Sequence, residues 1–120
     1  MIARYPITPV PKPRQTQSDK WKKRPAVLRY RAFADEVRLR GVTVLNGDVI
    51  TFVMPMPKSW GSTKERLMTG EPHQQKPDWD NLAKSLCDAM YKDDSHLWNL
   101  HVKKIWGVMG EIIIERSESR

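Results

Sequence analysis

The sequence predicts an α+β fold in a single domain, and three observations carry that expectation. Two segments with helical periodicity, residues 27–40 and 81–91, are interleaved with short runs rich in β-branched and aromatic residues at 49–56, 100–108 and 111–115. Glycines, prolines and short polar residues stand between these segments, where caps and turns belong. At 120 residues, the chain suits one unit that buries roughly two thirds of its unfolded surface and folds without covalent staples.

Taken in order, residues 2–7 alternate weakly and form a candidate first strand, after which Pro6, Pro9, Pro11 and Pro13 forbid a continuing helix or central strand. A loop then extends from about residue 8 to 26. It holds Arg14, Lys20, Lys22, Lys23 and Arg24 around Trp21, a mixture of cations and aromatic face that suits phosphates and unstacked bases. The plainer alternative is a solvated loop whose Trp21 tucks onto the domain. Residues 27–40 form the first helix, with Leu28, Ala32, Phe33, Val37 and Leu39 marking an apolar side and Gly41 placed as a C-terminal cap. Residues 49–56 read as a strand stopped by Pro55 and Pro57. Ser62 to Glu65 fits a capping box opening a short helix to about Met68, ended by Gly70. Asp80 is the expected N-cap of a helix over 81–91 that buries Leu82, Leu86, Ala89 and Met90. Strands at 100–108 and 111–115 follow, with residues 107–110 as a hairpin connection and the last five residues as a frayed tail.

Charge is distributed unevenly. The net charge is +7, yet the first forty residues alone hold eleven Lys/Arg against three acids. A positive excess confined to one third of a chain fits an arm or face that meets a polyanion. Its prolines and polar residues lack the apolar stripe of an interfacial helix, which favours nucleic acid over a membrane surface. The single cysteine, Cys87, cannot form an internal disulfide and falls within a helical pattern, so packing is its expected role. With no spanning apolar run and no leader pattern, a cytoplasmic protein is expected.

Five of the eight aspartates lie between positions 78 and 94. Asp78 and Asp80 stand two apart, so in an extended stretch both reach one cation; Lys84 follows one turn into the helix. Asp80, Lys84 and Asp88 recur every four residues and share a helix face, while Asp93 and Asp94 come after the helix. A helix of that length spans roughly 16 Å, so the later acids join the first pair only if the chain folds back along it. Singly, Asp80 could be a cap, Asp93-Asp94-Ser95 a turn, and Lys84 an i,i+4 partner of Asp80 or Asp88. Together they make the acid and lysine set of a divalent-metal phosphodiesterase, with Mg²⁺ favoured by the hard, short carboxylates. His73 could contact DNA or cap its loop, and His96 and His101 belong to the strand and turn framework.

The run from Lys76-Pro77-Asp78-Trp79-Asp80-Asn81-Leu82-Ala83-Lys84 to Met90, with Asp93-Asp94 beyond it, closely resembles the RusA family of Holliday junction resolvases. The core of the resemblance covers about residues 73–106 and includes the Lys103/Lys104 strand. The resemblance implies a small mixed sheet with helices packed against it, in a homodimer that cuts four-way DNA junctions by paired symmetric nicks using Mg²⁺ or Mn²⁺. It implies that Asp78, Asp80 and Asp94 are the metal-binding catalytic acids and Lys84 the essential lysine. One departure is Pro77, where the founding member is basic; Lys76 stands one step earlier and can supply that charge to DNA. Two rival readings remain, a basic non-catalytic nucleic-acid-binding protein and a metal nuclease acting on flaps or single strands. Clustered carboxylates without a cation make a poor DNA surface, which counts against the first.

Overall fold

The computed structural model describes residues 1–13 and 24–117. Along the chain these form β1 (Ile2–Tyr5), α1 (Pro25–Leu39), β2 (Val49–Pro55), α2 (Ser62–Met68), α3 (Trp79–Met90), β3 (His101–Gly107) and β4 (Glu111–Glu115). The sheet order is β1-β4-β2-β3, with β2 parallel to β3 and antiparallel to β4, and β4 antiparallel to β1. This is the expected α+β architecture, a small mixed sheet with helices packed against it.

The most apolar strand takes the central place. Ile50 through Met54 are all buried, as befits a strand flanked by neighbours on both edges. The expected hairpin between the last two strands is therefore replaced by a crossing: β3 and β4 flank β2, and residues 107–110 carry the chain over its end. Pairing β3 directly with β4 would leave β2 more open to water. The crossing is tight enough to require glycine, since a Cβ on Gly110 would lie 2.7 Å from Thr8 Cα and one on Gly107 would strike the Val53 side chain.

Ile50, Phe52 and Met54 of β2 and Ile112 and Ile114 of β4 meet Phe33, Ala34 and Val37 of α1 and Leu82, Leu86 and Ala89 of α3. Each fully buried Val, Leu, Ile, Phe or Met side chain there contributes about 1.5–3 kcal/mol. The buried side of α1 comprises Val27, Phe33, Ala34 and Val37, with Tyr30 partly covered beside them. It thus follows 27, 30, 34 and 37, and leaves Leu28 and Leu39 exposed, at 47% and 82%. The expected stripe was rotated because it gave weight to these two leucines. Gly41, at φ +65°, ends the helix as expected, with its N–H bonded to Arg38 O and that of Val42 to Val37 O. At α2 the cap is Gly61 and no side chain caps the helix, so Ser62 is its first residue and the expected capping box does not form.

The frayed tail is also corrected at Arg116. Its guanidinium donates to both oxygens of Asp48, at 2.9 and 2.8 Å, and to the Thr43 carbonyl at 3.3 Å. Asp48 is wholly buried before β2 and also accepts from the Leu45 N–H at 2.8 Å. Burial pushes its carboxyl up, but Arg116 and that N–H outweigh it and hold the group below the usual carboxylate range. Of the basic-loop residues, Arg14, Lys20, Trp21, Lys22 and Lys23 lie outside the described residues; Arg24 is the N-cap position of α1. Among the described residues no helix is long and apolar enough to cross a membrane.

Candidate active site

Helix α3 begins at Trp79, two residues earlier than its periodicity indicates, with Asp78 as N-cap in extended conformation (φ −71°, ψ 150°). Asp78 makes no side-chain cap bond, so its carboxylate is free of that duty. Asp80 therefore lies inside the first helical turn, where its Oδ1 accepts from the Asn81 N–H at 2.9 Å. The two acids do not share one extended stretch; they straddle the start of a helix, whose unsatisfied N–H groups favour negative charge.

Two clefts share this helix start. One, of about 530 Å³, has Asp78, Asp80 and Lys76 in its wall, together with His73, Gln75 and Lys104. The other, of about 360 Å³, brings Asp80 together with Lys84 and Asp94 over an apolar surface that includes Ala83 and Leu97. Asp80 and Trp79 belong to both. The chain does fold back after α3, because the Lys84 ammonium lies 3.3 Å from Asp94 Oδ2 and 3.2 Å from Asp88 Oδ1. The hydrogen bonds to Asp88 and Asp94 raise the Lys84 pKa. Asp93 instead accepts the Ser95 N–H at 2.9 Å, a turn contact that lowers its pKa.

Among the described residues no three His, Cys, Asp or Glu side chains are gathered as a metal cluster. Asp94 is turned to Lys84, which leaves Asp78 and Asp80 as the open oxygen pair. That pair fits Mg²⁺, an ion usually held by one or two carboxylates while water and substrate phosphate fill its remaining positions.

A family model described as Endodeoxyribonuclease RusA matches residues 6–115. The chain belongs to the RusA family. No match was found among the curated proteins. Membership makes nuclease chemistry the business of this RusA-family chain, and the 78–94 acid and lysine motif lies well inside the matched span.

Four further residues, Lys104, His73, Lys12 and Ser85, support the RusA motif here, and sequence reasoning did not single them out for these roles. Lys104, on β3 opposite Phe52, donates to the carbonyls of Gln75 and Pro77, each at 2.6 Å. It ties down the backbone immediately before Asp78. His73 is buried with its ring 4.3 Å from that of Trp106, and its Nδ1 has no hydrogen-bond partner among the described residues. Burial and then the Lys104 charge lower its pKa, so the imidazole is neutral. Lys12 pairs with Asp88, and Ser85 Oγ donates to the Val10 carbonyl at 2.6 Å. These contacts strap the segment that leads into the basic loop along α3. For Asp88, burial pushes the carboxyl up, but Lys12 and Lys84 hold it below its usual range. Cys87 is buried, and burial, then Asp94 and Asp88, push its thiol up to about 11, which fits packing rather than reactivity.

Proposed function

We propose that this chain is a Mg²⁺-dependent endonuclease that resolves four-way DNA junctions as a homodimer. The observation that carries the reading is Asp80, shared between the cleft of Asp78 and the cleft of Lys84 and Asp94. Asp78, Asp80 and Asp94 would hold the metal, and Mn²⁺ would be able to replace Mg²⁺. The ion held there would supply Lewis-acid polarisation of a non-bridging phosphate oxygen and a hydroxide near neutral pH. Lys84 meets the charge that develops on the phosphorus centre. A phosphate arriving at the site competes with Asp94 for that ammonium and frees the Asp94 carboxylate. Arg14, Lys20, Lys22, Lys23, Arg24 and Lys76 contact the DNA backbone and supply affinity that depends on salt.

Two opposed strands must be cut and each copy carries one acid cluster, so the second site comes from a two-fold partner. The apolar side of α3 fills the chain's own core and offers nothing to such a partner. The sheet face away from the helices does, since it carries Ile2, 61% exposed, with Ile105 and Ile113 partly open. Arg4 and Lys103 stand on it beside Glu111 and Glu115, a set of charges that can complement itself about a two-fold axis.

The reading is tested by incubating the purified protein and its Asp80→Asn variant with labelled four-way junction, flap, single strand and duplex, with and without Mg²⁺. Paired symmetric cuts in the junction by the wild type alone are expected. Cutting of flaps or single strands without junctions would assign a different metal nuclease, and binding without any cutting would assign a non-catalytic binder.

A further inference from the structure

Resting on the endonuclease reading, we propose that the cleft beside Asp78 is a nucleobase pocket that takes one unpaired base flanking the phosphate that is cut. Trp79 is the first indication. It stands between the two acids, 55% exposed, and forms part of both clefts. Leu82, Leu86 and Ala89 anchor α3 without it, and among the described residues its ring stacks on no other ring. An indole left in this position has a free face on which a base can stack, and stacking is available to any base.

The rest of the cleft supplies what recognises a base edge. Gln74 and Gln75 lie in its wall, and no hydrogen bond among the described residues uses either side-chain amide. Each amide offers both donors and an acceptor, the groups that pair with base edges. His73 adds a buried nitrogen without a partner among the described residues, on a ring braced by Trp106, whose own ring lies 4.8 Å from Trp60. A volume of about 530 Å³ lies within the range of small-ligand sites.

Charge decides between a base and a stretch of backbone. Asp78 and Asp80 repel phosphates except where a cation bridges them. Of the two lysines in the wall, Lys104 is committed to the Gln75 and Pro77 carbonyls, leaving Lys76 at the mouth. A neutral base meets no such repulsion. A phosphate held at the acids therefore places its neighbouring nucleotide at the cleft, where Trp79 and the glutamines take the base.

The test places 2-aminopurine, one position at a time, at the three nucleotides on each side of the cut in a four-way junction. Ca²⁺ replaces Mg²⁺ so that the complex forms without turnover. A change in fluorescence of at least about twofold is expected at one flanking position, lost in Trp79→Ala and retained in Trp79→Phe. In Mg²⁺, the wild-type cutting rate should vary severalfold with the base at that position, and Trp79→Ala or Gln75→Ala should flatten the preference. If no position responds, or if the response persists in Trp79→Ala, the pocket is overturned. Should Trp79→Ala fail to fold by circular dichroism, Gln75→Ala and Trp79→Phe decide through the same base preference. Failure of the endonuclease reading shows separately, as a wild-type protein that binds junctions and cuts none.

Discussion

Asp48 and Asp80 are the same residue put to opposite uses. Asp48 is wholly buried, and a two-pronged guanidinium and a backbone N–H occupy its carboxylate. Asp80 faces two clefts, and among the described residues neither it nor Asp78 is paired with a cation. Between these extremes lies Lys84, 57% exposed and shared between Asp88 and Asp94. Such open pairs contribute little to stability, which leaves the ammonium free to change partners. An acid's role in this fold is therefore set by what already occupies its oxygens: Asp48 is locked into the structure, whereas Asp78 and Asp80 are available for chemistry.

The strongest break of that comparison is at the open acids. Asp78→Asn or Asp80→Asn should abolish Mg²⁺-dependent cutting, while junction binding in gel shifts stays equal or tightens because repulsion toward phosphate is relieved. Thermal unfolding should be unchanged. Cutting at near the wild-type rate by either variant would remove that acid from the metal set. Lys84→Ala should follow, losing on the order of a hundredfold in single-turnover cutting rate if the ammonium meets transition-state charge. Full activity there would reduce Lys84 to an ion-pair partner.

Much of this division was legible in the sequence, for reasons that are local. The run EIIIE at Glu111–Glu115 and the short helix Ser62–Met68 form where pattern and flanking residues place them. The i,i+4 spacing offered Lys84 both Asp80 and Asp88, and the ion pair forms with Asp88. The partner of a strand is not local, so the hairpin reading missed that β2 separates β3 from β4. The start of α3 was placed late because Asp80 looks like a cap, although Asp78, held in extended conformation, already fills that position. Lys104 and Arg116 were out of reach for the same reason as strand pairing. Their partners lie 27 to 29 and 68 residues away, and nothing in the alternation of β3 separates Lys104 from Lys103 until the loop before Asp78 has been placed.

At the locked acid the expected effect is on folding. Asp48→Ala leaves the Arg116 guanidinium without its partner and should destabilise by about 3–5 kcal/mol in urea unfolding. Cutting per folded molecule should not change. The folded Asp48 carboxyl titrates below its unfolded value, so its contribution is complete above the unfolded pKa of about 4 and is lost as pH falls through the folded value. The gap between wild type and variant should accordingly narrow as pH drops below about 4. A gap that holds its full size in acid would mean that packing, not charge, accounts for the loss.

The smallest and sharpest contrast concerns a third cation. Arg116 occupies an acid and Lys84 is shared by two, but among the described residues Lys104 touches no carboxylate and binds the Gln75 and Pro77 carbonyls instead. It thereby fixes the backbone that presents Asp78 while leaving that acid open. Lys104→Met keeps the stem and removes the donors, so the fold should persist and the loop should loosen. Groups that orient metal ligands in this way are typically worth about 10–100-fold in metal affinity. The half-saturating Mg²⁺ concentration should rise by about tenfold, the lower end of that range because Asp80 sits on a rigid helix and is not reached by the clamp. Tb³⁺ luminescence sensitised by Trp79, between the two acids, reads binding without turnover and should weaken in parallel. Lys104→Arg, which keeps the charge and the donors, should recover part of the loss. Unchanged metal binding in Lys104→Met would mean that Asp78 is held in place by the helix start alone, and that the clamp serves only the loop.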